Sequence, residues 1–525
     1  MSLPCRSIDF GPVRVLLWHG WLLEGTGSNV YAARVAEAWR RSGHDVLLLC
    51  QQRDVRRLPF VDAWGTVGAD GAVEPVPTGA PEGPGRVTML RPDIGTLLPV
   101  FVWDEYEGFE AKPFVHLTDE ELDHYLESNV VAMRRAIRWR RPDAMVAGHA
   151  MAGPVIARRA AGERTYAAKV HGSDLEYAAR AQERYRALAR EGLEGATRVT
   201  GASRDVLARA EEVAPEIRGR TRVVPPGVEV DRWRPLRRPR ALAEAAGRLR
   251  ADAEMGRGRP EATDRLVAEA LEARDVLALD RLGATYDQSV PDPGAPDRLD
   301  RLAPHRGPLV GYLGKLIPEK GVERLLEALA LLDPSVRGLV VGFGTFREWL
   351  TALVVALDRG DAAAHGWLGE TSSMSLELSP KEVKQASGVG ERLSFTGRLD
   401  HRYAPEAVAA MDVLVVPSTL DEAFGMVAAE GAAAGAFPLV ARHSALAEVA
   451  EALERSAEAP GLLSFEPGPG AARRLAAGLD RLLALPPEEA RRMRERVRAH
   501  VASQWTWERT AQRLLDAAAA RDGLG

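Results

Sequence analysis

The chain has 525 residues, 46% hydrophobic and 27% charged, with 69 Lys and Arg against 74 Asp and Glu for a formal net charge of -5. This length exceeds what one hydrophobic core serves and predicts two or more domains, and the slightly negative balance excludes a compositional nucleic-acid binder. Apolar stretches such as 15–23 and 350–357 fall short of the ~18 residues that span a bilayer, so no transmembrane helix is expected.

The N-terminal apolar run is short and contains Arg14, after Arg6 and Asp9, which is unlike a secretory signal. The only cysteines, Cys5 and Cys50, have neither metal-ligand spacing nor a disulfide partner pattern. A reducing cytoplasm is the expected location.

In chain order, short apolar runs alternate with helical stretches, the pattern of βαβ units around a mostly parallel sheet. Strands are predicted at 13–18, 45–50, 143–147, 166–170, 198–201 and 222–224. A second set is predicted at 308–313, 338–342, 393–396, 413–416, 437–440 and 462–465. Two sets separated by a long strand-free stretch predict two doubly wound domains. The stretch between them, 236–305, is rich in Arg, Ala, Asp, Glu and Leu, opens with Arg237, Arg238, Pro239 and Arg240, and is expected to be a charged, mostly helical insertion. A second stretch, 360–390, is rich in Gly, Ser and Glu and is expected to be irregular. The resulting division is 1–235, 236–305, 306–505, and a final helix at 506–525.

In open α/β sheets ligands bind beyond the carboxyl ends of the strands. Four of the 11 histidines, His19, His149, His171 and His443, fall there; each taken singly also fits a hydrogen-bonded loop position. After the first strand come Glu24, Gly25, Thr26, Gly27, Ser28 and Asn29, leading into a helix. Glycines before a helix start let backbone N–H groups approach an anion such as a phosphate; a tight turn capped by Ser28 fits the same residues. Lysine is rare here, yet Lys315 and Lys320 flank one turn ahead of the amphipathic helix of Val322, Leu325, Leu326 and Leu329. Compact ammonium charges beside a helix amino terminus suit a diphosphate, and a solvated turn is the alternative.

The strongest constellation runs from Pro417 to Glu430. Glu422 follows a buried strand, and Glu430 falls within the apolar helix of Val427, Ala428, Ala429, Ala432 and Ala433. A carboxylate buried there without partners is costly, so it binds something. Two glutamates beside the Gly425, Met426 and Val427 amides suit the hydroxyls of a sugar-bearing ligand, and a core ion pair with arginine is the alternative.

These residues resemble the retaining GT-B glycosyltransferases of family 4. The pattern runs through Gly311-Tyr312-Leu313-Gly314-Lys315, Lys320-Gly321, Gly342-Phe343-Gly344, Phe395-Thr396-Gly397 and the paired glutamates to Glu448. Ahead of it stand the glycine loop, His171-Gly172-Ser173-Asp174, and Val224-Pro225-Pro226-Gly227-Val228 followed by Trp233 and Pro235. About 400 of the 525 residues share the resemblance, and 236–305 and 360–390 lie outside it. It implies two Rossmann-like domains facing a cleft and transfer of a hexose from a nucleotide-diphosphate sugar to a hydroxyl acceptor, with retention, without metal and without a cofactor. By that resemblance Lys315 and Lys320 hold the diphosphate, Glu430 the ribose, and Glu422 with the Phe424, Gly425, Met426 and Val427 backbone the hexose. His171 lies near the transferred sugar and Gly27 near the phosphate. The last helix, introduced by Trp505 and Trp507, returns to the first domain.

Two departures stand out. Lys315 occupies a place where arginine is usual, and 442–446 stands where a glycine pair is common. Two other readings fit the same residues: a nucleotide-sugar-binding protein without transfer activity, and another GT-B enzyme such as a nucleotide-sugar epimerase. The acceptor, whether a small molecule, a glycan or a lipid-linked sugar, is not specified by sequence, nor is the oligomeric state. Arg134, Arg135, Arg138, Arg140 and Arg141 could give weak peripheral contact with anionic lipid, although a solvated helix face fits such an arginine-rich chain better.

Overall fold

The computed structural model describes residues 11–80, 82–101, 106 and 108–519. Cys5, Arg6 and Asp9, and the expected helix beyond 519, lie outside the described residues. The chain divides into two compact units, one of Met1–Gly227 with Thr506–Gly525 and the other of Val228–Trp505.

Strands of the first unit, in chain order, are β1 (Arg14–Trp18), β2 (Asp45–Leu49), β3 (Ala63–Val67), β4 (Val76–Pro77), β5 (Arg86–Pro92), β6 (Leu97–Val100), β7 (Glu110–Pro113), β8 (Ala144–Gly148), β9 (Ala167–Lys169), β10 (Arg198–Gly201) and β11 (Thr221–Val223). All but β6 and β7, which pair with each other, form one sheet in the order β11-β10-β9-β8-β1-β2-β5-β3-β4, parallel except for β4. β1 lies between β2 and β8, with Leu17 opposite both Leu48 and Val146. Residues 15–18 of β1 are fully covered, as a central parallel strand requires.

The helix Asp119–Arg140 illustrates how local sequence sets an element. Thr118 and Glu121 form a capping box, and three acidic residues fill the first turn against the helix dipole. The helix ends where Arg141 turns left-handed ahead of Pro142. On its inward face Asn129 accepts the Trp18 indole N–H at 3.1 Å. The basic cluster is largely committed to this packing: Arg135 donates to the Gly68 carbonyl, Arg134 to the Arg159 carbonyl, and the Arg140 guanidinium stacks on Trp139.

Helix Trp507–Ala518 packs on helix Gly27–Arg41, where the Trp39 indole donates to the Ala511 carbonyl at 2.9 Å and Trp507 meets Tyr31 edge-on.

The second unit contains β12 (Leu309–Lys315), β13 (Arg337–Phe343), β14 (Leu393–Phe395), β15 (Val413–Val416), β16 (Phe437–Ala441) and β17 (Ser464–Phe465), all parallel in the order β14-β13-β12-β15-β16-β17. Among the described residues no helix is long and apolar enough to cross a membrane.

Three sequence expectations differ from this architecture. β3 to β7 were not predicted, because β3 is mostly half-exposed and β5 is framed by Gly85 and Pro92. The stretch 236–305 is not a separate body: Arg238 donates to the His305, Gly307 and Ala410 carbonyls and to Asp412, and just ahead of it Arg232 pairs with Glu406 at 2.7 Å in the same unit. The first unit therefore ends at Gly227 rather than 235. Finally, 360–390 is largely helical, with helices Ala362–Thr371 and Pro380–Gln385. It is tied down by the fully buried Glu327, which is 2.9 Å from His365 Nε2 and accepts the Glu377 and Leu378 amides at 2.8 and 3.0 Å.

Candidate functional site

In a doubly wound sheet the chain runs outward in both directions from one pair of central strands, and the loops beyond their carboxyl ends part to leave a crevice. In the second unit that pair is β12 and β15, with Lys315 ending β12 and residues 417–422 following β15.

Lys315 is exposed and its carbonyl accepts the Tyr312 hydroxyl at 2.8 Å. The chain then forms a short 3-10 turn, Pro318–Lys320, and enters helix Val322–Leu331 through Gly321 in the left-handed region at φ +62°. Any Cβ at Gly321 would stand 2.4 Å from the Pro417 carbonyl, so the turn lies directly against the loop after β15. The Thr419 amide and hydroxyl both donate to the Glu319 carbonyl, at 2.8 and 3.0 Å. The result of this locking is an ion pair between the Lys320 ammonium and Glu422 Oε1, each side chain about one-fifth exposed.

Beyond Glu422, Phe424 is buried edge-on against Trp505, and Gly425 at φ +90° starts helix Met426–Ala434 with no side-chain cap. The Ala428 amide turns back to the Gly425 carbonyl at 3.0 Å, while the Met426 and Val427 amides precede the helical ladder and face outward from its start. Glu430 sits just over one turn in and is 7% exposed. None of the described arginines pairs with it. A basic side chain within reach is His401, whose Nε2 is 3.8 Å from Glu430 Oε1. His401 belongs to the loop after β14 and meets Trp233 edge-on, and the Arg232 guanidinium holds its carbonyl at 3.0 Å. Sequence reasoning missed His401, since nothing in its neighbours announces that this loop reaches the helix of Glu430. His443, at the 442–446 departure, is 2.7 Å from the Ser418 carbonyl and so braces the same loop.

The crevice of the first unit opens between β1 and β8, and histidines flank it. His19 Nε2 faces the Leu22 carbonyl and Asn29 Oδ1, both at 2.9 Å, so that nitrogen carries the proton. His149 takes a left-handed backbone at φ +68°, and its ring lies 4.6 Å from that of His171, 5.5 Å from His19 and 4.3 Å from Trp21. Both His149 ring nitrogens are buried without a hydrogen-bond partner.

Burial lowers the His19 imidazole to about 4, and burial together with the neighbouring Lys169 and histidine charges holds His149 and His171 well below the ordinary range. His171 is therefore a neutral imidazole at pH 7. Beneath it the fully buried Asp174 accepts the Ala150 amide and the His171 and Leu175 amides at 3.1 and 3.0 Å, while burial still pushes its carboxyl up to about 6. Lys169, lowered to about 8 by burial, donates to the Val170 carbonyl and lies over the Tyr31 ring. Gly27 opens its helix with open space where a Cβ would project. The helix cap is Thr26 rather than Ser28, and no side chain caps it.

The chain matches two family models, glycosyl transferase 4-like domain over residues 26–227 and glycosyl transferases group 1 over 297–500. Compared with curated proteins by sequence, it has no significant match. Among solved structures it is similar to sucrose-phosphate synthase from Thermosynechococcus elongatus, at 18% identity and TM-score 0.53, with 95% of this chain and 97% of that one covered. It is also similar to Anabaena Alr3699/HepE in complex with UDP and glucose, at 14% identity and TM-score 0.54 over 95% and 98% of the two chains. The same protein in complex with UDP-glucose aligns at 13% identity and TM-score 0.53 over 96% and 98%. With its two parallel-sheet units and both family models matched in order along the sequence, the chain belongs to the group 1, family 4-like glycosyltransferases of GT-B fold.

Proposed function

We propose that this glycosyltransferase moves a hexose from a nucleotide-diphosphate sugar to a hydroxyl acceptor with retention of configuration, and that basic side chains rather than a metal ion carry the departing charge. The observation that supports this reading most directly is the Lys320–Glu422 pair at the crevice of the second unit. Its two members are each suited to a different part of a donor. Phosphate oxygens can replace the carboxylate on Lys320, and hexose hydroxyls can donate to Glu422 in place of the ammonium. Lys315 and the uncapped start of helix Met426–Ala434 add positive potential where the diphosphate leaves.

Glu430, deeper along that helix, then takes the ribose hydroxyls. With phosphate and hexose at Lys320 and Glu422, the base extends to the other side of Glu430, toward His401 and the loop 397–403. In the first unit, the neutral His171 is assigned to a hexose hydroxyl and the Gly27 amide to the phosphate. No carboxylate is assigned as a nucleophile.

The deciding experiment compares wild type with Lys320→Ala in calorimetry. Lys320→Ala should weaken a nucleoside diphosphate at least tenfold while leaving the nucleoside alone little changed. Equal weakening of both ligands refutes the assignment. Turnover that is lost on chelation and restored by magnesium or manganese refutes metal independence.

A further inference from the structure

Residues 228–296 fall between the two matched family ranges, so the insertion is a feature of this chain rather than of either family model. Its charged surface suggests an appendage, yet the buried Asp292 and, from further back, Asp252 both meet the loop that follows β14.

At the start of that loop, Pro291 forms a short antiparallel bridge to Gly397, and the Asp292 amide donates to the Thr396 carbonyl at 2.8 Å. Gly397 is left-handed at φ +70°, and a Cβ there would stand 2.5 Å from Asp292 Oδ1, so the insertion lies directly on loop backbone. Asp292 is 5% exposed and accepts Arg298 Nη1 at 2.9 Å and Arg347 Nη2 at 3.3 Å. Arg298 also donates to the Phe395 carbonyl at 2.8 Å, and Arg347 stacks on the Phe395 ring at 3.7 Å. At the far end of the loop, Asp252 accepts the Tyr403 hydroxyl at 2.8 Å and lies 3.6 Å from Arg402. Behind these contacts the insertion is fixed to the unit by a buried Arg259–Glu348 pair at 2.7 Å, whose carboxylate also accepts the Tyr286 hydroxyl.

Between the two anchors lie the groups that face outward: Arg398, whose guanidinium is 4.9 Å over the Phe343 ring at the end of β13, and His401 beside Glu430. A cation stacked on an aromatic ring offers a flat surface with in-plane donors, which suits a nucleobase.

We infer that the insertion is a clamp that holds the 397–403 loop in one shape through Asp292 and Asp252, and that this shape selects the base of the donor nucleotide. The inference rests on the donor orientation proposed above. Asp292 and Tyr403 act as positioning residues, since neither is assigned a ligand contact. Losing the Asp292 charge releases two guanidinium groups and one end of the loop together, whereas Tyr403→Phe removes a single hydrogen bond at the other end.

The test is calorimetry on the full chain with UDP, GDP, ADP, dTDP and inorganic pyrophosphate. Asp292→Asn is expected to weaken the best nucleoside diphosphate at least tenfold and to shrink the ratio between best and second-best base. Pyrophosphate binding should stay within twofold, and hydrogen exchange in β12 and β15 should be unchanged. Tyr403→Phe should act in the same direction by about threefold. Discrimination among bases that survives both substitutions overturns the clamp while leaving the donor reading intact, as does a parallel loss of pyrophosphate. Wild-type protein that binds pyrophosphate but no nucleoside diphosphate overturns the donor reading and the clamp with it.

Discussion

Two glutamates eight positions apart in sequence occupy different surroundings, and the proposed donor orientation gives them different tasks. Glu422 is bonded to Lys320 and one-fifth exposed, whereas Glu430 is nearly covered in an apolar helix, 3.8 Å from the His401 ring. Glu430→Gln should cost about 1.5–3 kcal/mol in nucleoside diphosphate affinity, the range for a hydrogen bond to a charged group. Glu422→Gln should spare or tighten the same affinity, because Lys320 loses its competing carboxylate, and should lower turnover. Calorimetry beside steady-state kinetics separates these outcomes, and a weaker nucleotide in both variants contradicts the division of labour.

The histidines of the first unit predict a pH dependence whose sign can be worked out. His19, lowered from 6.5 to about 4, is protonated more readily in the unfolded chain, so its contribution to stability is lost as pH falls from about 6.5. That displacement corresponds to about 3 kcal/mol. Asp174, raised from 3.8 to about 6, works in the opposite sense: its contribution is present below 3.8 and is lost as pH rises through about 6. His149 and His171 are lowered as well and tip the balance. Hydrogen exchange at the β1 and β8 amides, corrected for intrinsic rates, should therefore show opening become easier from pH 6.5 to 4.5. His149→Phe should reduce that slope, and a slope of the opposite sign would mean that Asp174 dominates.

At the scale of elements, Gly321 joins the Pro318–Lys320 turn to a helix only because it has no side chain. Gly321→Ala places a Cβ against the Pro417 carbonyl in a left-handed backbone. A destabilisation of about 1–3 kcal/mol is expected, with turnover falling further than stability because the Lys320–Glu422 register shifts. Denaturant unfolding and activity measured on the same preparation check this.

The sequence discloses elements like these unevenly, and the reasons are physical. Central strands such as β1, β13 and β15 are buried on both faces and so read as continuous apolar runs. β3 is half-exposed and β6 and β7 are short, so their composition resembles loops. Helix Ala362–Thr371 was read as irregular because its glycines mask a segment whose order comes from Glu327, far away in sequence. Within the candidate site, residue type and position mark Lys315, Lys320 and Glu422 after strands and Glu430 in an apolar helix as candidates. The ion pair between two of them was not legible in this way, nor was the approach of His401 to Glu430, since both depend on which loops the strand order makes neighbours.

On the scale of the whole molecule, the chain passes from the first unit to the second after Gly227 and back after Trp505. These two passages are adjacent: the Val228 amide donates to the Trp505 carbonyl at 2.8 Å, and a Cβ on Gly227 would fall 2.2 Å from the Trp507 nitrogen. The second unit is thus a guest within the first, with its entrance and exit side by side. Removing it would leave ends that a few residues could bridge, so the first unit can be rebuilt as one continuous chain and the second as a chain whose termini almost meet. The interruption also explains why helix Trp507–Ala518 packs on helix Gly27–Arg41, from which the whole second unit separates it in sequence. During synthesis the host stays unfinished until its guest has been made, and its Trp39 remains without the Ala511 carbonyl until then.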